Sequence, residues 1–257
     1  MIRCEATPAS MLKAVLLSEL TGLLPEVGQA EPEANLFAAC DQLSADDHSL
    51  EQLTRQLAEK TGGDYRWIDQ YPGRRLAVMV LFNLRNSARD SERVIFAALT
   101  EAVRNGPASC ICGRSRASAV FRRRSREVGN EIHRLLGLIR FQETADGDLV
   151  AKPQLAHQTA DLLLRKFQLR YPNRRLLFIL PQGALCCRQG QLSFCALQDL
   201  PATMLNPTDD FTNLWETYYR SQYIEARKNI RLASRFIPKK YWDWLPEGKI
   251  LKQEAEK

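Results

Sequence analysis

Apolar and polar residues alternate with a helical period over most of the first hundred positions. In residues 11–24 the apolar side chains from Leu12 to Leu23 recur every three or four positions, which predicts an amphipathic helix that ends before Pro25. The same spacing predicts helices over 46–60 and 92–104, the second with Asp90 as its N-cap. Residues 75–84 are so strongly apolar that they fit either a buried helix or a strand.

The pattern changes after Cys112. Residues 117–136 predict a long helix whose apolar side chains point inward, at Phe121, Val128, Ile132, Leu135 and Leu136, while its arginines point largely outward. Short apolar runs flank a Gly-containing turn at 145–148, which predicts a β-hairpin. Further helices are expected over 157–171 and 211–226, and further strands over 175–180, 184–188 and 192–197.

These elements predict an α+β fold, in which a mainly helical N-terminal part is followed by a small antiparallel sheet packed with helices. We divide the chain by composition and pattern. The parts are an acidic helical segment at 1–60, a helical connecting part at 61–112, a basic α+β domain at 113–247 and a charged tail at 248–257.

Charge is distributed unevenly along the 257 residues. The whole chain has a formal net charge of +6, yet residues 1–60 contain ten acidic and four basic side chains. The remaining residues therefore hold +12, which suggests a polyanionic partner for that part, although basic surfaces also serve solubility. The sequence has neither a long apolar span nor a secretion leader, and we expect a cytoplasmic protein.

From the number and spacing of the seven cysteines we predict neither a bound metal ion nor a cofactor. Their number is odd and their spacing does not match a common zinc motif or the three-cysteine motif of a radical-SAM cluster. We interpret them as reduced thiols that fill structural positions, because free cysteine usually behaves as a small hydrophobic residue.

The densest basic stretch is residues 113–126, which contain no acidic residue. Its six arginines are Arg114, Arg116, Arg122, Arg123, Arg124 and Arg126. A guanidinium is planar and permanently charged, so a cluster of them suits the phosphates of a nucleic-acid backbone. The alternative is a solvated helix face with no ligand.

A second basic stretch lies near the C-terminus and alternates with aromatic residues. The candidates for phosphate contact are Arg227, Arg231, Arg235, Lys239 and Lys240. Tyr241 and Trp242 are candidates for stacking on unpaired bases, or else they supply core area.

We identify no catalytic motif, so the sequence favours a role other than that of an enzyme. It has neither a Gly-x-Ser-x-Gly elbow nor a phosphate-binding loop. His133 is the one candidate catalytic residue, since a helix would bring it near Arg140. The alternative is a histidine that fills a helix–strand junction.

The C-terminal motif carries a resemblance to a known family. Arg227, Asn229 and Leu232 are followed by Pro238, two lysines and the Tyr-Trp pair, and matching runs occur at 131–141 and 167–180. Over about residues 90–247 the chain resembles an uncharacterised bacterial family labelled a probable DNA metabolism protein. Members are typically encoded beside a radical-SAM protein of presumed DNA modification or repair function, and some relatives are fused to a uracil-DNA glycosylase.

The resemblance implies a DNA-linked role and a radical-SAM partner. Our leading hypothesis is a DNA-binding accessory protein in DNA repair or modification, with DNA a better candidate than RNA. The alternatives are a catalytic subunit that acts on damaged or modified nucleobases, and a structural module for protein interaction.

Overall fold

A computed structural model describes residues 1–28, 43–201, 214, 217, 218, 221 and 229–256. The chain divides into two compact units, Met1–Glu131 and Ile132–Lys257, and the division falls within a long helix. The predicted helix over 211–226 and the candidate Arg227 lie outside the described residues, apart from the four single positions named.

The first unit is built mainly from helices, as the apolar periodicity predicts. They are α1 (Pro8–Thr21), α2 (Leu50–Thr61), α3 (Tyr71–Arg85), α4 (Ser91–Asn105), α5 (Pro107–Cys112) and the first four turns of α6 (Arg116–Leu138). The segment 75–84, which the sequence left open, is therefore helical. Buried side chains from all of these helices form one apolar core, in which Met11, Leu53 and Phe121 are completely or almost completely buried.

Local sequence signals set several helix ends. The Thr7 side chain accepts a hydrogen bond from the Ser10 backbone N–H at the start of α1, and Pro8 follows at the first helical position. Ser49 and Gln52 form a capping box on α2. Gly62 then ends α2 with a φ of 70°, a conformation that favours glycine.

A small parallel sheet in the first unit was not predicted. It consists of β1 (Ile2–Cys4) between β2 (Pro25–Val27) and β3 (Leu43–Ser44). Strands this short are below the length at which alternation of apolar and polar residues becomes visible. The edge strand β2 begins at Pro25, directly after the predicted helix end, where the sequence pattern predicted no further element.

The second unit contains the sheet that the hairpins predicted. Its strands lie in the order β4 (Gln142–Glu143), β5 (Leu149–Ala151), β6 (Leu176–Leu180), β7 (Gly183–Arg188) and β8 (Gln191–Cys195). The α+β class is confirmed, but the sheet is mixed because β5 and β6 run parallel. The helix α7 (Ala160–Arg170) connects those two strands, and a crossover helix is the usual link between parallel neighbours.

Short helices follow near the C-terminus, where the described chain resumes. These are α8 (Ile230–Phe236), a single 3-10 turn at Lys239–Tyr241, and α9 (Pro246–Ala255). Within the described ranges, we find no helix with the length and apolar content needed to cross a membrane.

Candidate nucleic-acid interface

The helix α6 presents a row of arginines on the side opposite its apolar stripe. Phe121 and Val128 are completely buried, so residues about half a turn away face solvent. The exposed arginines among the predicted site residues of this helix are Arg116, Arg122, Arg123 and Arg126. We call these four side chains the arginine face. Arg114 is also exposed, in the loop before the helix.

A serine pair fixes the start of α6. The Ser118 backbone N–H donates to the Ser115 hydroxyl over 3.1 Å, and the Ser115 backbone N–H donates to the Ser118 hydroxyl over 3.0 Å. The Ser115 hydroxyl also hydrogen bonds to the Glu101 carboxylate of α4. This reciprocal arrangement resembles a capping box and holds the first turn of α6 against α4.

Contacts on the arginine face are few and leave the charges in solvent. Arg122 Nη1 donates to the Cys112 carbonyl oxygen over 2.6 Å. Arg123 Nε lies 3.7 Å from Glu127 Oε1, and both side chains are exposed, so the attraction is weak. Within the described part of the chain, Glu127 is the one carboxylate that forms an ion pair with the arginine face. Four cations on one helix face with so little neutralisation attract anions.

Arg124 differs from its neighbours on the helix. Its side chain is only 11% exposed, and Nη2 donates to Asp90 Oδ1 over 2.6 Å. This hydrogen bond lowers the pKa of Asp90 below its usual value. Asp90 precedes α4 as predicted, but its side chain accepts from Arg124 and makes no N-cap hydrogen bond. Arg124 therefore links α6 to α4, away from the arginine face.

A groove of about 590 Å³ lies between α3 and α6. Arg75, Arg122 and Arg126 line it, together with the apolar side chains of Val78 and Phe82. No carboxylate is among the residues that line this groove. Gly129 allows the close approach of the two helices, because a Cβ at that position would lie 3.2 Å from the Phe82 ring.

Arg75 and Phe82 were not among the sequence-predicted site residues. The sequence does contain a signal for them, because seven positions separate the arginine from the aromatic residue. This spacing is about two helical turns and places both on one face of a helix. It was hidden because residues 75–84 fitted a strand as well as a helix. Only the helical assignment places both residues beside the arginine face.

The C-terminal candidates separate into exposed bases and buried rings. Arg231, Arg235, Lys239 and Lys240 are exposed. In contrast, Tyr241 is 2% and Trp242 is 5% exposed. Trp242 Nε1 donates to the Ile237 carbonyl oxygen over 2.8 Å, and Gly248 allows close packing because a Cβ there would lie 2.3 Å from the Trp242 Cα. Stacking on bases would therefore require these rings to leave the core.

His133 is exposed near the end of α6, in the second unit. It lines a cleft with Arg140 and Arg170, so the structure places His133 and Arg140 in the same cavity, as the sequence argument expected.

The cysteines described by the structure are free thiols. Burial raises the pKa of Cys4 and of Cys110 to about 12, and it also raises the pKa of Cys186 and Cys187. These four thiols stay protonated at neutral pH and are poor nucleophiles. Across the described ranges, no three side chains of the types His, Cys, Asp or Glu come together as a metal site.

Comparison with known proteins gives one assignment. No curated protein and no solved structure matches this sequence. A family model described as a domain of unknown function, DUF4130, matches residues 89–247. The matched region begins just before Asp90, includes the whole of α6, and ends at Glu247 in the first turn of α9. Because it covers more than half of the chain, the protein belongs to the family defined by DUF4130.

Proposed function

We propose that this chain is a DNA-binding accessory protein in DNA repair or modification, which acts with a radical-SAM partner. The observation that carries the proposal is the arginine face and the adjoining groove. Exposed guanidinium groups surround a groove without carboxylates, and its apolar floor contains a half-buried aromatic ring. Basic grooves with aromatic residues suit the backbone and bases of a DNA strand.

The DNA-linked role and the partner come from the family resemblance in the C-terminal motif. DUF4130 covers the same region of the chain, and its description leaves the function open. The arginine face supplies a physical reason for the DNA part of the proposal. The radical-SAM part rests on the resemblance alone and needs its own experiment.

DNA binding is tested by fluorescence anisotropy with a labelled duplex and a labelled single strand. We expect binding without strong sequence preference, and a steep loss of affinity as salt increases, because phosphate contacts release counterions. Absence of binding at about 50 mM salt, where such contacts are strongest, would refute the proposal.

The partner is tested by co-purification with a radical-SAM protein from the same genome. We expect a stable complex, and we expect neither protein alone to process DNA that contains a damaged base. DNA binding without complex formation would leave the first part of the proposal standing and remove the second.

A catalytic role on nucleobases is the second candidate, and the exposed His133 in a cleft favours it. Neither Asp nor Glu is among the residues that line this cleft. A hydrolytic step on a nucleobase normally uses a carboxylate to activate water, so the cleft fits binding better than hydrolysis. Base release by this chain alone, lost in His133→Ala, would reverse the order of the two candidates.

A further inference from the structure

The cleft that contains His133 combines cationic and aromatic side chains. It has a volume of about 680 Å³ and lies within the second unit, between the last turn of α6 and the end of α7. His133, Arg140 and Arg170 provide the polar lining, and Phe141, Phe167 and Tyr171 provide aromatic rings. The volume falls in the range of about 300–1,000 Å³ that is usual for small-molecule sites.

The two arginines are fixed by the C-terminal end of α6. Arg170 Nη1 donates to the Leu136 carbonyl oxygen over 3.0 Å, and Arg140 Nη1 donates to the Gly137 carbonyl oxygen over 2.7 Å. Carbonyl oxygens at a helix C-terminus carry partial negative charge and favour cations. The positions of both guanidinium groups are thus set before any ligand arrives.

A buried carboxylate holds Arg140 from the other side. Glu247 is 4% exposed, and its Oε1 lies 3.3 Å from Arg140 Nη2. Arg170 has no such carboxylate among its contacts within the described chain, and its guanidinium lies over the Phe167 ring at 5.4 Å from the centroid. Since a guanidinium carries five N–H donors, the hydrogen bond to Leu136 leaves Arg170 with donors for a further acceptor.

The aromatic side of the cleft is rigid at its base and exposed at its rim. The Phe141 ring packs edge-on against Phe167 at a centroid distance of 5.0 Å, and stacks on the buried Phe178 at 5.8 Å. The Tyr171 ring lies 6.1 Å from Phe141 and is 41% exposed. An exposed ring supported from below by other rings is a suitable platform for a planar ligand.

From these contacts we infer that the cleft binds a nucleoside monophosphate unit, either as a free nucleotide or as an unpaired nucleotide within a DNA strand. The phosphate binds at Arg170 and Arg140. The base stacks on the exposed Tyr171 ring with its edge toward Phe141, because the two rings are inclined at 70° to each other. His133 at the cleft supplies an imidazole that hydrogen bonds to the ligand. The cationic side chains of the lining disfavour a positively charged ligand. A purely apolar ligand would cover the guanidinium groups without offering them a hydrogen-bond acceptor.

The free-nucleotide form of this inference stands independently, whereas the unpaired-nucleotide form rests on the proposed DNA binding. The two sources are separated by calorimetric titration of the intact protein with thymidine monophosphate, and with a duplex that has one unpaired thymidine. Thymidine and inorganic phosphate are titrated for comparison. We expect the monophosphate to bind at least about tenfold more tightly than either fragment, because both the stacking and the charge contacts are then made.

Substitutions in the lining of the cleft test whether the monophosphate binds there. Arg170→Ala and Tyr171→Leu should each weaken binding of the monophosphate about tenfold. Arg134→Ala is the matched control, since Arg134 is exposed on the same helix as His133 but does not line the cleft. Thermal melting checks that each variant folds, and Arg170→Lys, which keeps the charge, should retain part of the affinity.

Several results would overturn the inference. One is a lack of binding by both the monophosphate and the unpaired thymidine. Another is binding that Arg170→Ala and Tyr171→Leu leave unchanged while both variants remain folded. A third is inorganic phosphate that binds as tightly as the monophosphate, because the base would then add no affinity by stacking on the aromatic rings. Binding of the monophosphate without any DNA binding would support the cleft and refute the proposed function. DNA binding that is lost with the arginine face, together with no binding of the monophosphate, would support the proposed function and refute the cleft.

Discussion

Replacing three residues of the arginine face should flatten the salt dependence of DNA binding. The change is Arg122, Arg123 and Arg126 to alanine together. Each arginine that neutralises a phosphate of duplex DNA contributes about 0.9 to the slope of log affinity against log salt, so the three contribute up to about 2.7. When salt rises from about 50 to about 200 mM, this share corresponds to about a 40-fold loss of affinity that the variant would no longer show.

Arg124→Ala is the matched control for this experiment. It removes one arginine charge from the same helix, where the triple change removes three, so the slopes are compared per arginine removed. The Arg124 side chain is 11% exposed and is bound to Asp90. We expect a slope like that of the unaltered protein, with a lower melting temperature because the link between α4 and α6 is lost. The triple variant should melt close to the unaltered protein, since exposed charges contribute little to stability.

Fluorescence anisotropy with a labelled duplex at four or more salt concentrations gives the slopes, and circular dichroism gives the melting temperatures. A triple variant that retains the original slope would refute the assignment of DNA to the arginine face. If Arg124→Ala flattens the slope by about 0.9, as much per arginine as the triple change, the salt dependence follows net charge and not the position of the arginine on the helix.

Three further outcomes test packing and electrostatics. Trp242→Ala should lower the free energy of unfolding by about 3–5 kcal/mol, because the indole is buried; an unchanged urea midpoint would contradict this packing. Exposed Cys112 should react with iodoacetamide at about pH 8, whereas Cys110, whose pKa burial raises to about 12, should stay unlabelled in peptide mass spectrometry, and equal labelling would count against the structure. Arg124 lowers the pKa of Asp90, so the pair stabilises the fold at neutral pH and this stability is lost as pH falls through the lowered value. Urea denaturation of the unaltered protein and Arg124→Ala should give midpoints that converge in acid, and a difference that stays constant with pH would exclude the pair.

Elements with strong local signals were predictable from the sequence. The long helix follows from the apolar spacing of Phe121, Val128 and Ile132, all of which are buried. The hairpin of β4 and β5 follows from its turn, where Gly147 adopts a φ of 79° that few other residues tolerate. In both cases one stretch of chain contains the whole signal.

Elements that depend on distant partners were not predictable. The three-residue strand β1 exists because β2 and β3 flank it, and the parallel pairing of β5 with β6 depends on the crossover through α7. Neither arrangement leaves a periodic pattern in so few residues.

The same distinction between local signals and distant contacts decides how much of the candidate sites was predictable. The exposure of most arginines on α6 follows from helical spacing alone. Arg124 falls three residues after Phe121 and four before Val128, so the same spacing places it beside the buried stripe. Its ion pair with Asp90, the groove with Arg75, and the cleft at His133 require elements far apart in sequence. These depend on tertiary packing.

The most direct test of the central claim, that DNA lies on the arginine face, is a footprint of arginine reactivity. The protein is treated with phenylglyoxal, which modifies accessible guanidinium groups, in the presence and absence of DNA, and the modified peptides are identified by mass spectrometry. DNA should protect Arg122 and Arg126, while Arg55, which is exposed on α2, should react equally in both samples. Equal modification of Arg122 and Arg126 with and without bound DNA would contradict the account.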